Sequence, residues 1–204
     1  MRCFYSSEFF LELPNGHPFP MDKFEVSKDM LVGSGIVKGE DIIEVNEADS
    51  HVLRRVHDHD YLSKIYYGQL DRKEQILLGL PVTPKLYHRS ATEVEATRQA
   101  CHAALQDGVA AVLAGGTHHS FQNRGEGYCV FNDVAIAIRD LQVYRPGIKV
   151  MVVDTDAHQG TGTNSILADD PNVFTYSIHV GKHSSSSKIN GSMDVETVRY
   201  VEGE

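Results

Sequence analysis

The sequence predicts an α/β protein with three layers, a mostly parallel sheet covered by helices on both faces. Three apolar runs of strand length, Val109–Ala114, Val150–Val153 and Val173–Ile178, predict buried strands. The segments between them carry amphipathic helical patterns, and this alternation is typical of such a sheet. The 204 residues show no shift in composition, so we expect a single domain over residues 1–204.

The N-terminal half of the chain predicts further elements. Arg2–Ser6 is a candidate opening strand, and Leu13–Met21 is a loop because it holds three prolines and a glycine. Met21–Leu31 shows a weak helical pattern, and Ile42–Val45 has the form of a short strand. Apolar residues recur at helical spacing over His51–Tyr67, which predicts one helix there.

Two helices are expected in the middle of the chain. Ser90–Glu93 has the form of a capping box, in which a serine oxygen and a glutamate satisfy the first backbone amides. The helix that it begins should run to about Gln106 and end at Gly108. Asn132 or Asp133 can cap a second helix, whose apolar side chains recur at each turn.

The composition excludes several classes of function. A net charge of −9 repels phosphate backbones, so we do not expect nucleic-acid binding. The three cysteines are far apart, which fits a reducing compartment and offers no thiolate zinc site. Neither a membrane span nor a signal peptide is visible, so we expect a soluble, cytoplasmic protein. Ser184–Ser187 is of low complexity and predicts a surface loop.

Polar residues follow two predicted strands at their carboxyl ends, where open α/β sheets bind ligands. Gly115–Ser120 (GGTHHS) follows the first strand, and Asp154–Gly162 (DTDAHQGTG) follows the second. Asp156 and His158 share one side of an extended chain, and a carboxylate with an imidazole suits zinc or a similar divalent ion. The alternative is that Asp156 caps the next helix and His158 is an ordinary loop histidine.

Two clusters of histidines differ in the function that the sequence predicts for them. His118 and His119 could supply a general base and a general acid, although adjacent histidines can also be incidental. We interpret His57–Asp60 (HDHD) as a solvated helix start, where acidic residues favour the helix dipole. Motifs for phosphate loops, dinucleotide binding, serine hydrolases and HExxH metalloproteases are absent from the sequence.

Several ordered motifs together resemble the zinc-dependent histone deacetylase superfamily, in particular its class IV-like bacterial members. They are GGTHHS, GEGYCVFNDVAIAI, VVDTDAHQGTG and FTYSIH. The resemblance runs from the LPNGHPFPMDKF segment through Asp194, which is nearly the whole chain. It implies the arginase–deacetylase fold and an amide hydrolase that acts on acetyl-lysine or on a small acetylated amine.

The resemblance also implies roles for individual residues. Asp156 and His158 match two of the three zinc ligands of the family, and His118 and His119 match its tandem catalytic histidines. Tyr128 matches the aromatic residue that lines the acyl-lysine tunnel.

A second set of residues is implied to support the site. Asp154 matches the buried carboxylate that holds the first histidine and helps to bind a structural potassium ion. That ion would also be bound by the Ser177 hydroxyl and by main-chain oxygens of Asp156, His158 and Ile178. Thr161 stands where many family members carry an aspartate that pairs with the second histidine, so His119 is expected to be less basic.

The same resemblance implies a fold that is incomplete at its C-terminus. The family's third zinc ligand, an aspartate, and its oxyanion-stabilising tyrosine lie beyond the region that matches through Asp194. Later strands would also fill the space between the strand of the tandem histidines and the strand of Asp-x-His, so we expect unpaired sheet edges. We therefore expect an impaired deacetylase that self-associates or binds a complementing chain. The alternative is a non-catalytic fragment that serves as an interaction or assembly module.

Overall fold

A computed structural model of the protein describes residues 1–181 and 188–197, so the predicted loop Ser184–Ser187 lies outside the described residues. Parallel strands are connected mostly through one or more helices, which confirms the predicted α/β class. The strands are β1 (Arg2–Tyr5), β2 (Ile42–Glu44), β3 (Ala110–Val112), β4 (Val150–Asp154), β5 (Val173–Val180) and β6 (Met193–Thr197). The α-helices are α1 (Lys23–Gly33), α2 (Ser50–Leu53), α3 (His59–Tyr66), α4 (Arg72–Leu78), α5 (Pro84–Asp107), α6 (Asp133–Tyr144) and α7 (Thr161–Leu167).

The described strands form two separate parallel sheets, with the orders β2-β1-β3 and β4-β5-β6. β3 pairs with β1 and β4 pairs with β5, so each has one edge without a strand partner in the described part of the chain. The polar loops predicted to bind ligands follow β3 and β4. The prediction that these two strands are not neighbours is therefore confirmed.

The apolar side chains of β4 are more exposed than the sequence predicts. Met151 is 58% exposed and Val153 is 57% exposed, whereas Val150 and Val152, on the other side of the strand, pack partly against the core. A wholly apolar strand is typical of a sheet that is covered on both faces. β4 therefore keeps apolar surface that the described residues do not cover.

The long helix α5 begins earlier than predicted. It starts at Pro84, whose fixed φ angle suits the first turn of a helix, so the predicted capping box at Ser90–Glu93 is wrong. These four residues are buried inside the helix, and the last of them forms an ion pair with Arg89 one turn earlier. The predicted end at Gly108 is confirmed, and this glycine has a φ of +84°.

The single helix predicted over His51–Tyr67 is two helices, α2 and α3, separated by a turn. That turn buries His57, whose Nε2 accepts a hydrogen bond from the Asn132 amide (2.9 Å) and whose Nδ1 donates to the Gln122 carbonyl (3.2 Å). Loss of water lowers the pKa of His57 to about 4, so the neutral ring that these two bonds require is the stable form at pH 7. The interpretation of the HDHD segment as a solvated helix start is therefore wrong for His57 and holds for Asp58 and the two residues after it.

The pattern did not predict α4, although its start carries a clear signal. The Asp71 carboxylate accepts a hydrogen bond from the Glu74 amide (2.9 Å), and the Glu74 carboxylate accepts one from the Asp71 amide (2.8 Å). This is a capping box, and α4 ends at Gly79 in the left-handed conformation. No helix in the described ranges has the length and apolar character needed to cross a membrane.

Candidate active site

The two polar loops predicted from the sequence meet at one cavity. The Thr163 amide, in the first turn of α7, donates a hydrogen bond to the His118 carbonyl (3.0 Å), which joins the helix that follows β4 to the loop after β3. The cavity has a volume of about 260 Å³. Its lining includes Phe19, His118, His119, Tyr128, Asp156 and His158. The structure thus brings five of the predicted site residues to one place.

His118 is held by Asp154, as the resemblance implies. Its Nδ1 lies 2.6 Å from Asp154 Oδ2, and the two side chains are 12% and 15% exposed. Burial alone would lower the pKa of His118, but the hydrogen bond to Asp154 and the charges of Asp154 and Asp156 raise it above its ordinary value. The same pairing lowers the pKa of Asp154, against the effect of burial. The other ring nitrogen, Nε2, lies 3.9 Å from Asp156 Oδ1.

His119 lies beside His118 but has the opposite acid–base character. The two ring centroids are 4.0 Å apart, with 37° between the planes. Burial and the nearby rings of His118 and His158 lower the pKa of His119 to about 4. Its Nδ1 lies 3.5 Å from the Thr161 hydroxyl, at the limit of a hydrogen bond. Because the environments push the two pKa values apart, the pair can divide the roles of acid and base.

Asp156 and His158 form a pair of metal-donor groups at the outer end of the cavity. Their Oδ1 and Nδ1 atoms are 3.2 Å apart, and both side chains are about half exposed. Catalytic zinc generally takes three protein ligands and keeps one position open. The described residues bring together no group of three His, Cys, Asp or Glu side chains suited to a metal. The pair therefore fits two positions of a zinc site, and the described residues supply no third.

The residues implied to bind potassium are neighbours, at the end of β4 and inside β5. Asp154 is in register with Ser177, and Ile178 follows on the same strand. The Asp154 carboxylate also accepts a hydrogen bond from the Asp156 amide (3.0 Å), and the Ser177 hydroxyl is bonded to His179 Nδ1 (2.9 Å). Potassium binding at this position stays a prediction.

Tyr128 forms one wall of the cavity in an unusual backbone conformation. Its φ of +69° is the only positive value for a non-glycine residue in the described part of the chain. The ring packs edge-on against Phe19 (5.3 Å between centroids) and against His17 (5.7 Å). A Cβ atom on Gly79 would lie 2.9 Å from Tyr128 Cε1, so the glycine permits this close approach.

The cavity lining also includes a buried ion pair, Arg89 with Glu93, that the sequence did not reveal. The two side chains are 2% and 4% exposed, with Nη2 and Oε1 2.7 Å apart. Burial raises the pKa of Glu93 to about 7, although Arg89 acts in the opposite direction. An Arg–Glu pair four residues apart is common on exposed helix surfaces. The spacing therefore does not reveal that this pair faces a cavity.

Comparison with known proteins identifies relatives by sequence. The family model described as the histone deacetylase domain matches residues 17–187. An uncharacterised protein of Picosynechococcus sp. is 36% identical over 191 residues, which cover 94% of this chain and 64% of that protein. The acetoin utilization protein AcuC of Bacillus subtilis is 32% identical over 173 residues, which cover 80% of this chain and 44% of AcuC.

Solved structures show the same fold at lower sequence identity. A histone deacetylase homologue from Aquifex aeolicus matches with a TM-score of 0.72 and 20% identity, covering 88% of this chain and 51% of its own. A histone deacetylase homologue complexed with SAHA matches with a TM-score of 0.76 and 18% identity, covering 98% of this chain and 59% of its own. The chain thus spans 64% or less of each of these four proteins.

Proposed function

The chain belongs to the histone deacetylase domain family, and from this premise we propose that its site serves zinc-dependent hydrolysis of an acetylated amine. The observation that carries the proposal is the pairing of His118 with Asp154 beside His119, in the cavity that also holds Asp156 and His158. The substrate class is acetyl-lysine or a small acetylated amine. The net charge of −9 favours substrates with a positive charge.

The two histidines would move the protons of the reaction. His119, which is neutral at pH 7, can accept a proton from the attacking water. His118 retains its proton more readily because of Asp154, and the protonated pair can return a proton to the leaving amine. Tyr128 and Phe19 would form the apolar wall along which the acyl-lysine side chain enters.

Asp156 and His158 would hold the zinc ion together with a third ligand from outside the described residues. When bound, zinc polarises the amide carbonyl and lowers the pKa of water. A structural potassium ion would be bound by Asp154, Ser177 and Ile178, and Asp154 would at the same time hold His118. Because the described residues supply two zinc ligands, slow turnover of the substrate is expected.

Acetate release from an acetyl-lysine peptide and from an acetylated polyamine tests the proposal. We expect slow, zinc-dependent turnover that His118→Ala abolishes and His88→Ala leaves unchanged, because His88 pairs with Glu47 on the exposed surface. Equal turnover in the wild type and in His118→Ala would contradict the assignment of the site. Turnover as fast as that of a complete family enzyme would contradict the inference of an incomplete zinc site.

The split sheet favours a second candidate function, that of an interaction or assembly module. In the described ranges one edge of β4 has no strand partner and can pair with a further strand, and the exposed Met151 and Val153 offer apolar surface beside it. The partner would be a second copy of the chain or a complementing chain. Light scattering over a range of concentrations should then show association that Val153→Lys prevents, since an edge lysine opposes strand pairing. A monomer at all concentrations would count against self-association.

A further inference from the structure

Asp133, the first residue of α6, is a buried carboxylate directly beneath the loop that carries the tandem histidines. It is 1% exposed. Its Oδ1 accepts a hydrogen bond from the Thr117 amide (2.8 Å) and lies 2.6 Å from the Thr117 hydroxyl, whose single proton is shared between this oxygen and the Phe131 carbonyl. Its Oδ2 accepts hydrogen bonds from the Gly116 amide (3.0 Å) and the Thr97 hydroxyl (2.6 Å). One side chain thus binds two backbone amides of the loop and one hydroxyl of α5, and it also contacts a loop hydroxyl.

The donor set requires a carboxylate at this position. Each oxygen of Asp133 receives one backbone amide, and a backbone amide can only donate. An asparagine of the same shape would turn an NH₂ group toward the Gly116 amide or the Thr117 amide. The loop also approaches very closely, because a Cβ atom on Gly115 would lie 2.5 Å from Asp133 Oδ2.

The preceding residue, Asn132, holds the other end of the same loop. Its Nδ2 donates to the Ser120 carbonyl (2.9 Å) and to the Thr163 hydroxyl (3.2 Å), while its Oδ1 caps α6 by accepting the Ala135 amide (3.0 Å). The start of α6 therefore binds the loop on both sides of the histidine pair. Asp133 does not line the cavity, so it does not touch a ligand there.

We propose that Asp133 is a positioning residue that fixes the path of the Gly115–Ser120 loop and thereby sets where His118 and His119 stand in the cavity. The catalytic role of this positioning rests on the proposed function, whereas the effect of Asp133 on the loop does not. A purely helix-stabilising role, in which an acidic residue favours the helix dipole, predicts a different outcome. In that case a substitution would weaken the whole fold without a separate effect on the histidines.

A matched pair of variants separates the two roles. Asp133→Asn removes the acceptor that the loop requires. Asp140→Asn changes a second buried carboxylate two turns further along α6, which instead pairs with Arg98 (3.4 Å) and His102 (2.8 Å) on α5 and with Arg55 (3.1 Å) between α2 and α3. Both variants are compared with the wild type in the presence of a chelator, by hydrogen exchange and by NMR of the histidine rings.

In Asp133→Asn we expect the Gly116 and Thr117 amides to exchange about tenfold faster or more, relative to the core amides, since hydrogen bonds to a charged group are lost. The ring signals of His118 and His119 should shift as well. Asp140→Asn should speed exchange evenly and leave both ring signals at their wild-type positions. Loop exchange and ring signals in Asp133→Asn that match those of Asp140→Asn would overturn the proposal.

Two further measurements cover the cases in which Asp133→Asn does not fold or the wild type shows no turnover. If Asp133→Asn does not fold, Thr117→Val removes the loop hydroxyl that contacts the Asp133 carboxylate and accepts from the Asp133 amide (3.2 Å). It should produce the same changes at smaller size, and unchanged signals would overturn the proposal. The acetate-release assay is run on the same samples. Absence of turnover in the wild type contradicts the proposed function and leaves the loop result standing. Wild-type turnover with an unchanged kcat in Asp133→Asn contradicts the positioning role.

Discussion

Replacing Asp154 by asparagine should release His118 from its support while leaving it buried. The His118 Nδ1 and Asp154 Oδ2 atoms are 2.6 Å apart, and both side chains are at least 85% buried. A hydrogen bond between charged partners in such a position contributes about 1.5–3 kcal/mol. Without it, burial is the dominant influence on the ring, so the pKa of His118 should fall from above its ordinary value to below it.

The loss of stability in Asp154→Asn should depend on pH in a defined way. The raised pKa of His118 stabilises the fold below its ordinary value of 6.5, and this contribution is lost as pH rises through the pKa of the folded state. The lowered pKa of Asp154 stabilises the fold above its ordinary value of 3.8, and this contribution is lost as pH falls through the folded pKa. The difference in the free energy of unfolding between the wild type and the variant should therefore be largest between about pH 4 and 6.5.

NMR titration of the histidine rings with a chelator present measures the first effect, and urea unfolding at pH 5.5 and pH 9 measures the second. Glu47→Gln is the matched control, because it breaks the His88–Glu47 pair, whose side chains are 50% and 49% exposed. Exposed ion pairs contribute about 0–1 kcal/mol, so this control should change stability little at either pH. An unchanged pKa of His118 in Asp154→Asn, or an equal loss of stability at both pH values, would refute the reasoning.

Two other substitutions test the surroundings of the site. Gly79→Ala should lower the free energy of unfolding by more than Gly16→Ala. Both glycines have a similar positive φ, and this left-handed conformation costs alanine about 1–2 kcal/mol at either position. Only at Gly79 would the new Cβ atom also contact the Tyr128 ring, because the space around Gly16 is open. Urea unfolding with tyrosine fluorescence measures both, and equal losses would show that Tyr128 is not held by this contact. His57→Leu should remove a loss of stability that the wild type shows in acid. The pKa of His57 in the folded state, about 4, lies below its ordinary value of 6.5, so the unfolded state binds the proton first. The free energy of unfolding of the wild type should therefore decrease as pH falls below 6.5. Unfolding at pH 7 and pH 5 checks this, and the same pH dependence in both proteins would contradict it.

The sequence indicated the candidate site because the strongest signals for it are local. The segment Gly115–Ser120 and the Asp154–Gly162 segment each follow a strand directly, and the carboxyl ends of parallel strands are where ligands bind. The order of these motifs then indicated the family and the pairing of His118 with Asp154. The same resemblance predicted the edges of β3 and β4 that have no strand partner among the described residues.

The features that the sequence did not reveal depend on distant contacts. In the sequence Asp133 is recognisable only as a possible helix cap. Its position beneath the loop depends on hydrogen bonds from Thr97 and Thr117, which are distant in sequence. His57 lies in a run of polar residues, yet it is buried because the segments around Gln122 and Asn132 fold over it. Such burial is a property of tertiary packing, which local periodicity does not record.

Zinc binding tests the central claim, that the two loops form a metal-dependent site, most directly. The measurement is competition with a chromophoric chelator for the wild type, for His158→Ala and for His59→Ala, which changes an exposed histidine in α3. We predict one weakly bound zinc ion in the wild type, its loss in His158→Ala and no change in His59→Ala. Zinc binding that is the same in all three proteins would contradict the claim.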